Sequence, residues 1–344
     1  MPKKNKVKHV VLPRRYTFDI RRIQVRLGRY LNIAIYKPIK RRNSQTATNP
    51  ADENYLNTID DTSTSENADP PVVFFIHGVG GSHLVWQSQL EHFSSHGYIA
   101  IAPDLLGHGN SDTPRGKNKY TFEEMSKDVL SIFDRYCHRK NNFLVGHSYG
   151  SSFCALTARE RQNRVLKIVL ISCGLPSPLQ PHPGCIFSSP MLLLKCVFPL
   201  VSKHFIRNAY AKHNTVKVKK RGFLVRPYAL KHTMLGQIWE EGDESYYHEL
   251  HLPVLIIHGE QDKLVDTEED LKLQEVIYGS DIEIVEEAGH NVMMEFPTKI
   301  DRVIMGFLRR DFSHLFGADV WESMNRVQAR SFRYGNADAI KEED

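Results

Sequence analysis

The chemistry-bearing residues occur in one chain order: a serine between glycines, then an aspartate, then a histidine. Gly146-His147-Ser148-Tyr149-Gly150 reads G-x-S-x-G, follows the apolar run Phe143-Leu144-Val145 and precedes a stretch with helical spacing. A sharp strand-to-helix turn needs small residues on both sides, because neighbouring backbone comes close. It presents the serine hydroxyl at a sheet edge, near the N-terminus of a helix. A serine hydroxyl is a weak nucleophile until a base takes its proton. His290, in the stretch EEAGHN just past the last predicted strand, is the base expected from its position. The acid is expected at the end of the strand before it. There Asp262 stands five residues past Ile257 in VLIIHGEQDKLV, with Glu260 and Asp266 as neighbouring alternatives. A carboxylate that accepts the imidazole N–H fixes the tautomer and stabilises the imidazolium.

Acyl chemistry also needs backbone donors that already point at a developing oxyanion. The loop His77-Gly78-Val79-Gly80-Gly81-Ser82 follows the first predicted parallel strand, and its glycines permit close backbone approach to a ligand. The amides of Val79 and Tyr149 are the expected donors. The loop is not a phosphate cradle, since neither G-x-G-x-x-G nor G-x(4)-G-K-[ST] is present. In the turn PDLLGHGNS, Asp104, His108 and Ser111 read as architectural.

The elements that must hold these residues are legible as an alternation. Residues 16–37 form two runs of alternating polarity around Leu27-Gly28-Arg29, as a β-hairpin does. From Pro71 the texture changes. VVFFI is a short continuous apolar run, expected of a strand buried on both faces. Helices are predicted over Ser82–His96, Thr121–His138 and Ser148–Arg161. Strands are predicted over Tyr98–Ala102, Asn142–Val145 and Val165–Ile171. After Cys173-Gly174 the alternation stops, and residues 175–250 are rich in Pro, Leu, Phe, Tyr and basic residues. It resumes with strands over Val254–Ile257 and Ile282–Val285 and helices over Asp266–Tyr278 and Thr298–Phe312. The fold class is α/β: a mostly parallel sheet flanked by helices, with an inserted helical cap over the carboxyl edge where open α/β sheets bind ligands. The expected organisation is a basic segment over 1–15, the hairpin over 16–40, a polar disordered insertion over 41–70, core over 71–174, cap over 175–250, core over 251–312 and a polar tail over 313–344.

Composition narrows the remaining classes. Hydrophobic residues make up 41% and charged residues 25%, which excludes a mainly disordered chain. The net charge of +5 is uneven: residues 1–42 hold 14 of the 45 Lys and Arg and one of the 40 acids. Such a segment suits an acidic membrane surface or simple solvation. The five cysteines show no paired spacing and no C-x-x-C, so neither a zinc site nor a thioredoxin-type site is suggested, and free thiols in a reducing compartment are expected. The most apolar stretch, Ile186–Val201, contains Lys195 and two prolines and is a poor membrane span.

The motifs HGVGGS, PDLLGHGNS, GHSYG, HGEQD and AGHN, in this order over about residues 71–312, resemble those of the α/β-hydrolase superfamily. The resemblance implies an eight-stranded sheet, a cofactor-free triad and a variable cap, and leaves the substrate open. Epoxide hydrolases and haloalkane dehalogenases of this fold carry aspartate where Ser148 stands, so a serine there implies acyl transfer. The expected function is hydrolysis of a carboxylic ester, a lipid or other acyl ester, with Ser148, Asp262 and His290 as the triad and no cofactor or metal. A branch acting on lysophospholipids carries His-x(4)-Asp, associated with acyl transfer. Here the stretch runs from His290 to Glu295, with Glu in place of Asp. A lysophospholipid acyltransferase and an interaction scaffold on the same fold are the rival readings. The expected partners are a small-molecule or lipid ester and a membrane touched through the basic N-terminus, not nucleic acid. The expected location is intracellular and cytoplasmic.

Overall fold

Short apolar runs pair here because each is buried on both faces. The computed structural model describes residues 15–39, 70–137, 141–181, 184–213 and 223–313. The expectations for the basic residues 1–14, the insertion over 41–69 and the tail over 314–344 lie outside the described residues. Eight strands form one sheet: β1 Tyr16–Arg26, β2 Arg29–Pro38, β3 Val72–Ile76, β4 Ile99–Pro103, β5 Asn142–His147, β6 Val165–Ile171, β7 Val254–Gly259 and β8 Asp281–Val285, in the order β1-β2-β4-β3-β5-β6-β7-β8. The hairpin β1–β2 joins antiparallel through β2 to β4, and every other neighbouring pair is parallel. This is the α/β-hydrolase architecture.

Successive side chains alternate faces along a strand, so the central strands feed two cores. Phe74, Ile76, Leu144, Ile168, Leu170 and Ile256 pack beneath α2 (Phe122–Tyr136), α3 (Tyr149–Glu160) and the helix Thr267–Val276. Val73, Phe75, Val145, Val169, Ile171 and Ile257 pack beneath α1 (Gln87–Ser95) and the helix Pro297–Arg309. The helix expected from Ser82 begins instead as a 3₁₀ turn, His83–Trp86. Side chains compete for that turn's amides: Ser82 Oγ accepts from Leu84 N, and Asp104 accepts from His83 N at 2.6 Å. Thr121 starts α2 as its N-cap, with Oγ1 accepting from Glu124 N. The hairpin is fastened to α2 through charge. Arg26 bridges Glu124 and Asp128, and the buried Arg29 also pairs with Asp128.

The interruption after Gly174 is helical, as expected of a cap: α4 Met191–Asn208, α5 Pro227–Leu235 and α6 Glu244–His248. The last core helices follow it as α7 Thr267–Val276, α8 Val292–Glu295 and α9 Pro297–Arg309. Among the described residues no helix is long and apolar enough to cross a membrane.

Where α9 meets α1, Asp301 is buried and accepts from Ser88 Oγ (3.1 Å) and Gln89 Nε2 (2.8 Å). Burial outweighs these bonds and pushes its carboxyl up to about 6. A folded value above the unfolded one means the native state binds the extra proton. Stability is therefore full below the unfolded value and falls as pH rises to about 6. Asp301→Asn should remove about 2 kcal/mol of that pH dependence. Urea midpoints at pH 4 and pH 7 measure it: the gap should shrink in the variant, and an unchanged gap would contradict the assignment.

Candidate active site

The turn between β5 and α3 holds Ser148 at φ 51° and ψ −125°. A residue with a side chain adopts such a backbone only when its surroundings enforce it. The motif glycines explain the enforcement. A Cβ on Gly150 would lie 2.2 Å from Ile76 O, and one on Gly146 would lie 2.7 Å from Gly150 O. The α3 N-terminus thus packs directly against β3. Ser148 is the N-cap position of α3, at the carboxyl end of β5.

His290 lies on the loop between β8 and α8, and Asp262 on the loop after β7. His290 Nδ1 donates to Asp262 Oδ2 at 2.7 Å, with side chains 3% and 0% exposed. Asp262 Oδ1 accepts from the amides of Leu264 (2.8 Å) and Val265 (3.2 Å). Burial works against the Asp262 charge, but His290 and these amides outweigh it and hold the carboxyl below its ordinary value. The two neighbouring acids are engaged elsewhere. Asp266 caps α7 in a reciprocal box with Glu269, and Glu260 is exposed and accepts from Glu287 N. The loops close tightly: Cβ atoms on Gly259 and Gly289 would strike Gly289 O (2.2 Å) and Ala211 N (2.7 Å).

Ser148, His290, Val79 and Tyr149 all line one cavity of about 700 Å³ beneath the cap. Tyr149 is the first residue of α3, where a helix leaves its N–H groups without intrahelical acceptors. The Val79 loop is braced from below. Buried His77 accepts from Leu105 N through Nε2 (2.9 Å) and donates from Nδ1 to Gly78 O (2.7 Å). Burial lowers the His77 pKa to about 4, so the ring is neutral, as this pattern requires. Asp104 collects His83, Asn32 and the Asn110 amide, Ser111 Oγ bonds Asp104 O, and His108 Nδ1 bonds Leu106 O. None of Asp104, His108 or Ser111 lines the cavity.

The rest of the wall is mainly apolar. Leu179 and Phe187 come from the segment before α4, Val201 and Phe205 from α4, and Leu230 and Met234 from α5. The stretch MLLLKCVFPLV was expected either to line a pocket or to pack on the sheet. In α4 only Leu194 is fully buried, while Leu200 and Val201 face the cavity.

Several supporting residues carried no legible signal in the sequence. His147 Nε2 donates to His290 O at 2.9 Å, and burial lowers its pKa to about 3, leaving it neutral. Glu295 accepts from Gly289 N (2.9 Å) and Ala211 N (3.0 Å), tying the His290 loop to the cap. The acid five residues after His290 therefore has both carboxylate oxygens on backbone amides. Buried His258 donates to Asp270 Oδ2 at 2.7 Å, and Asp270 Oδ1 accepts from Gly174 N, fixing the point where the cap departs. Only their distant partners give these residues a role, and spacing in one chain does not show that. Among the described residues no cluster of His, Cys, Asp and Glu could hold a metal ion.

A family profile described as the alpha/beta hydrolase fold matches residues 71–184. Protein ABHD8 of Mus musculus is 41% identical over 241 residues, which cover 69% of this chain and 55% of that protein. The chain thus spans about half the length of the curated relatives it first matches. Epoxide hydrolase 3 of Xenopus tropicalis is 24% identical over 272 residues, 70% of this chain and 72% of that protein. Among solved structures, an esterase from Exiguobacterium antarcticum superposes with TM-score 0.63 at 19% identity, covering 71% of this chain and 93% of its own. With the eight-stranded sheet, the ordered motifs and these similarities, the chain is an α/β-hydrolase-superfamily protein resembling ABHD8.

Proposed function

We propose that the protein is a serine hydrolase cleaving a carboxylic ester, a lipid or other acyl ester, through an acyl-enzyme on Ser148. The observation that carries this reading is the buried 2.7 Å pairing of His290 with Asp262, in a cavity wall shared with Ser148. In this reading His290 Nε2 takes the Ser148 proton as Oγ attacks the ester carbonyl. The amides of Val79 and Tyr149 receive the oxyanion. Collapse expels the alcohol, which leaves with the proton from His290. Water then attacks the acyl-enzyme with the same histidine as base, releasing the acid and restoring Ser148. Serine rather than a carboxylate at the elbow favours ester over epoxide chemistry. A mainly apolar cavity of about 700 Å³ suits an acyl chain.

A fluorophosphonate, which esterifies activated serines, is the direct test. The folded protein should form one adduct, found by mass spectrometry on the peptide containing Ser148, and a panel of acyl esters should be turned over. A folded sample that stays unlabelled would sink the proposal and favour a non-catalytic role for the fold.

A further inference from the structure

We infer that the outward face of the cap is a docking surface for an anionic lipid bilayer. The inference stands on surface chemistry and does not depend on the reaction at Ser148. From Leu175 to Trp239 the chain carries ten Lys and Arg and not one Asp or Glu. Charged residues make up 25% of the whole sequence, so 65 residues without an acid mark a strong segregation. The positive charge of this protein is therefore not confined to its N-terminus. This first part of the cap is a second basic region, and the acids of the cap, Glu240, Glu241, Asp243, Glu244 and Glu249, all follow it in the chain.

The helix α4 shows how this charge is presented. Its inner side carries Leu194, Val201 and Phe205, which are buried or line the cavity. Its outer side carries Leu192, Cys196, Leu200, Lys203 and Arg207, spaced to share one helical face, with Leu193 and Lys195 flanking. Leu192 is 76% exposed, Leu193 49% and Leu200 68%, and the four basic and thiol positions Lys195, Cys196, Lys203 and Arg207 are exposed as well. Burying three leucines in lipid while four cations, counting the exposed Lys212 just beyond, meet head groups is how interfacial helices hold to membranes. Charge chooses the occupant. A helix with cations and no carboxylate of its own disfavours basic partners, and its leucines gain most from a surface offering both negative head groups and acyl chains.

The face is continuous with the cavity mouth. Leu200 and Ile186 are exposed to solvent and also line the cavity that contains Ser148 and His290. A bilayer seated on α4 would lie against that rim, giving a lipid a path into the cavity that avoids water.

Flotation of the full chain with phosphatidylcholine vesicles, with and without phosphatidylserine, tests the inference. Binding should require the anionic lipid. Leu192→Glu with Leu193→Glu, and separately Lys195→Gln with Lys203→Gln, should each weaken it roughly tenfold or more. These positions are exposed, so circular dichroism should show unchanged folding and thermal midpoint. Neutralising Lys3, Lys4, Lys6 and Lys8 together in the full chain separates the other basic region: the cap-dependent part of binding should survive. Absence of binding to anionic vesicles overturns the inference. So does binding that is indifferent to the cap substitutions, or that is abolished by the N-terminal substitutions alone.

Discussion

Ser148→Ala should abolish ester turnover, lowering kcat by roughly 10⁶-fold, the scale of loss when the nucleophile of a serine-protease triad is removed. The alanine keeps a Cβ in place and removes only the oxygen that would become acylated. Residual rate over water would then come from the oxyanion donors and substrate binding, which the change leaves intact. The elbow adds a second, independent readout. Ser148 holds φ 51° and ψ −125° whatever its side chain does chemically. Conformations of this kind cost a non-glycine residue about 1–3 kcal/mol. Ser148→Gly should therefore be as inactive as Ser148→Ala, yet more stable by an amount in that range. Thermal or urea denaturation of the pair separates strain from chemistry. Retained turnover in Ser148→Ala would remove this serine from the proposed mechanism. Equal stability of the two variants would mean the turn stores no strain.

Asp262→Asn should reduce kcat by about 10⁴-fold, with little change in fold. An asparagine can keep its oxygen on the amides of Leu264 and Val265, which places its NH₂ group toward His290 Nδ1. That nitrogen must then accept instead of donate. The ring proton moves to Nε2, and the nitrogen that should receive the serine proton is blocked. Glu260→Gln and Asp266→Asn should each leave turnover within a few fold, since one is exposed and the other caps α7. The glutamate change should have little effect on stability, and asparagine is itself a good N-cap. Steady-state kinetics on the three variants, with circular dichroism to verify folding, decides among the acids. Near-normal turnover in Asp262→Asn, or a large loss in either neighbour, would reassign the role.

Both results concern residues whose order is legible in the sequence, while their relation in space is not. The strand–motif–helix context of Ser148 follows from local physics: an apolar run, two glycines and a helical repeat admit few geometries besides a tight elbow. The alternation over residues 71–171 likewise predicts a mostly parallel sheet, because a run such as VVFFI has no polar face to offer solvent. The expected strands over Val165–Ile171 and the hairpin near residues 16–37 match their observed counterparts closely. The helix from Ser82 did not begin as expected, since Asp104, 21 residues away from His83, claims an amide of its first turn.

Choosing Asp262 over Glu260 and Asp266 needed the third dimension. All three are acidic residues near the end of one strand, and position along the chain favours Asp262 while leaving Glu260 and Asp266 open. Chain closure decides: β7 and β8 lie side by side, Gly259 packs against Gly289, and only Asp262 then meets His290. The same holds for Glu295, whose partners come from the cap and the His290 loop together. The cap's charge segregation was always present in the sequence, but its use depends on which side of α4 faces out. By itself the sequence determined the sheet, the elbow and the order of serine, acid and histidine, because these rest on short-range sterics and on burial of contiguous apolar runs. Tertiary structure alone decided which carboxylate pairs with the histidine, what braces the loops and which leucines meet solvent. Those outcomes depend on contacts between segments up to more than a hundred residues apart, and no local pattern encodes them.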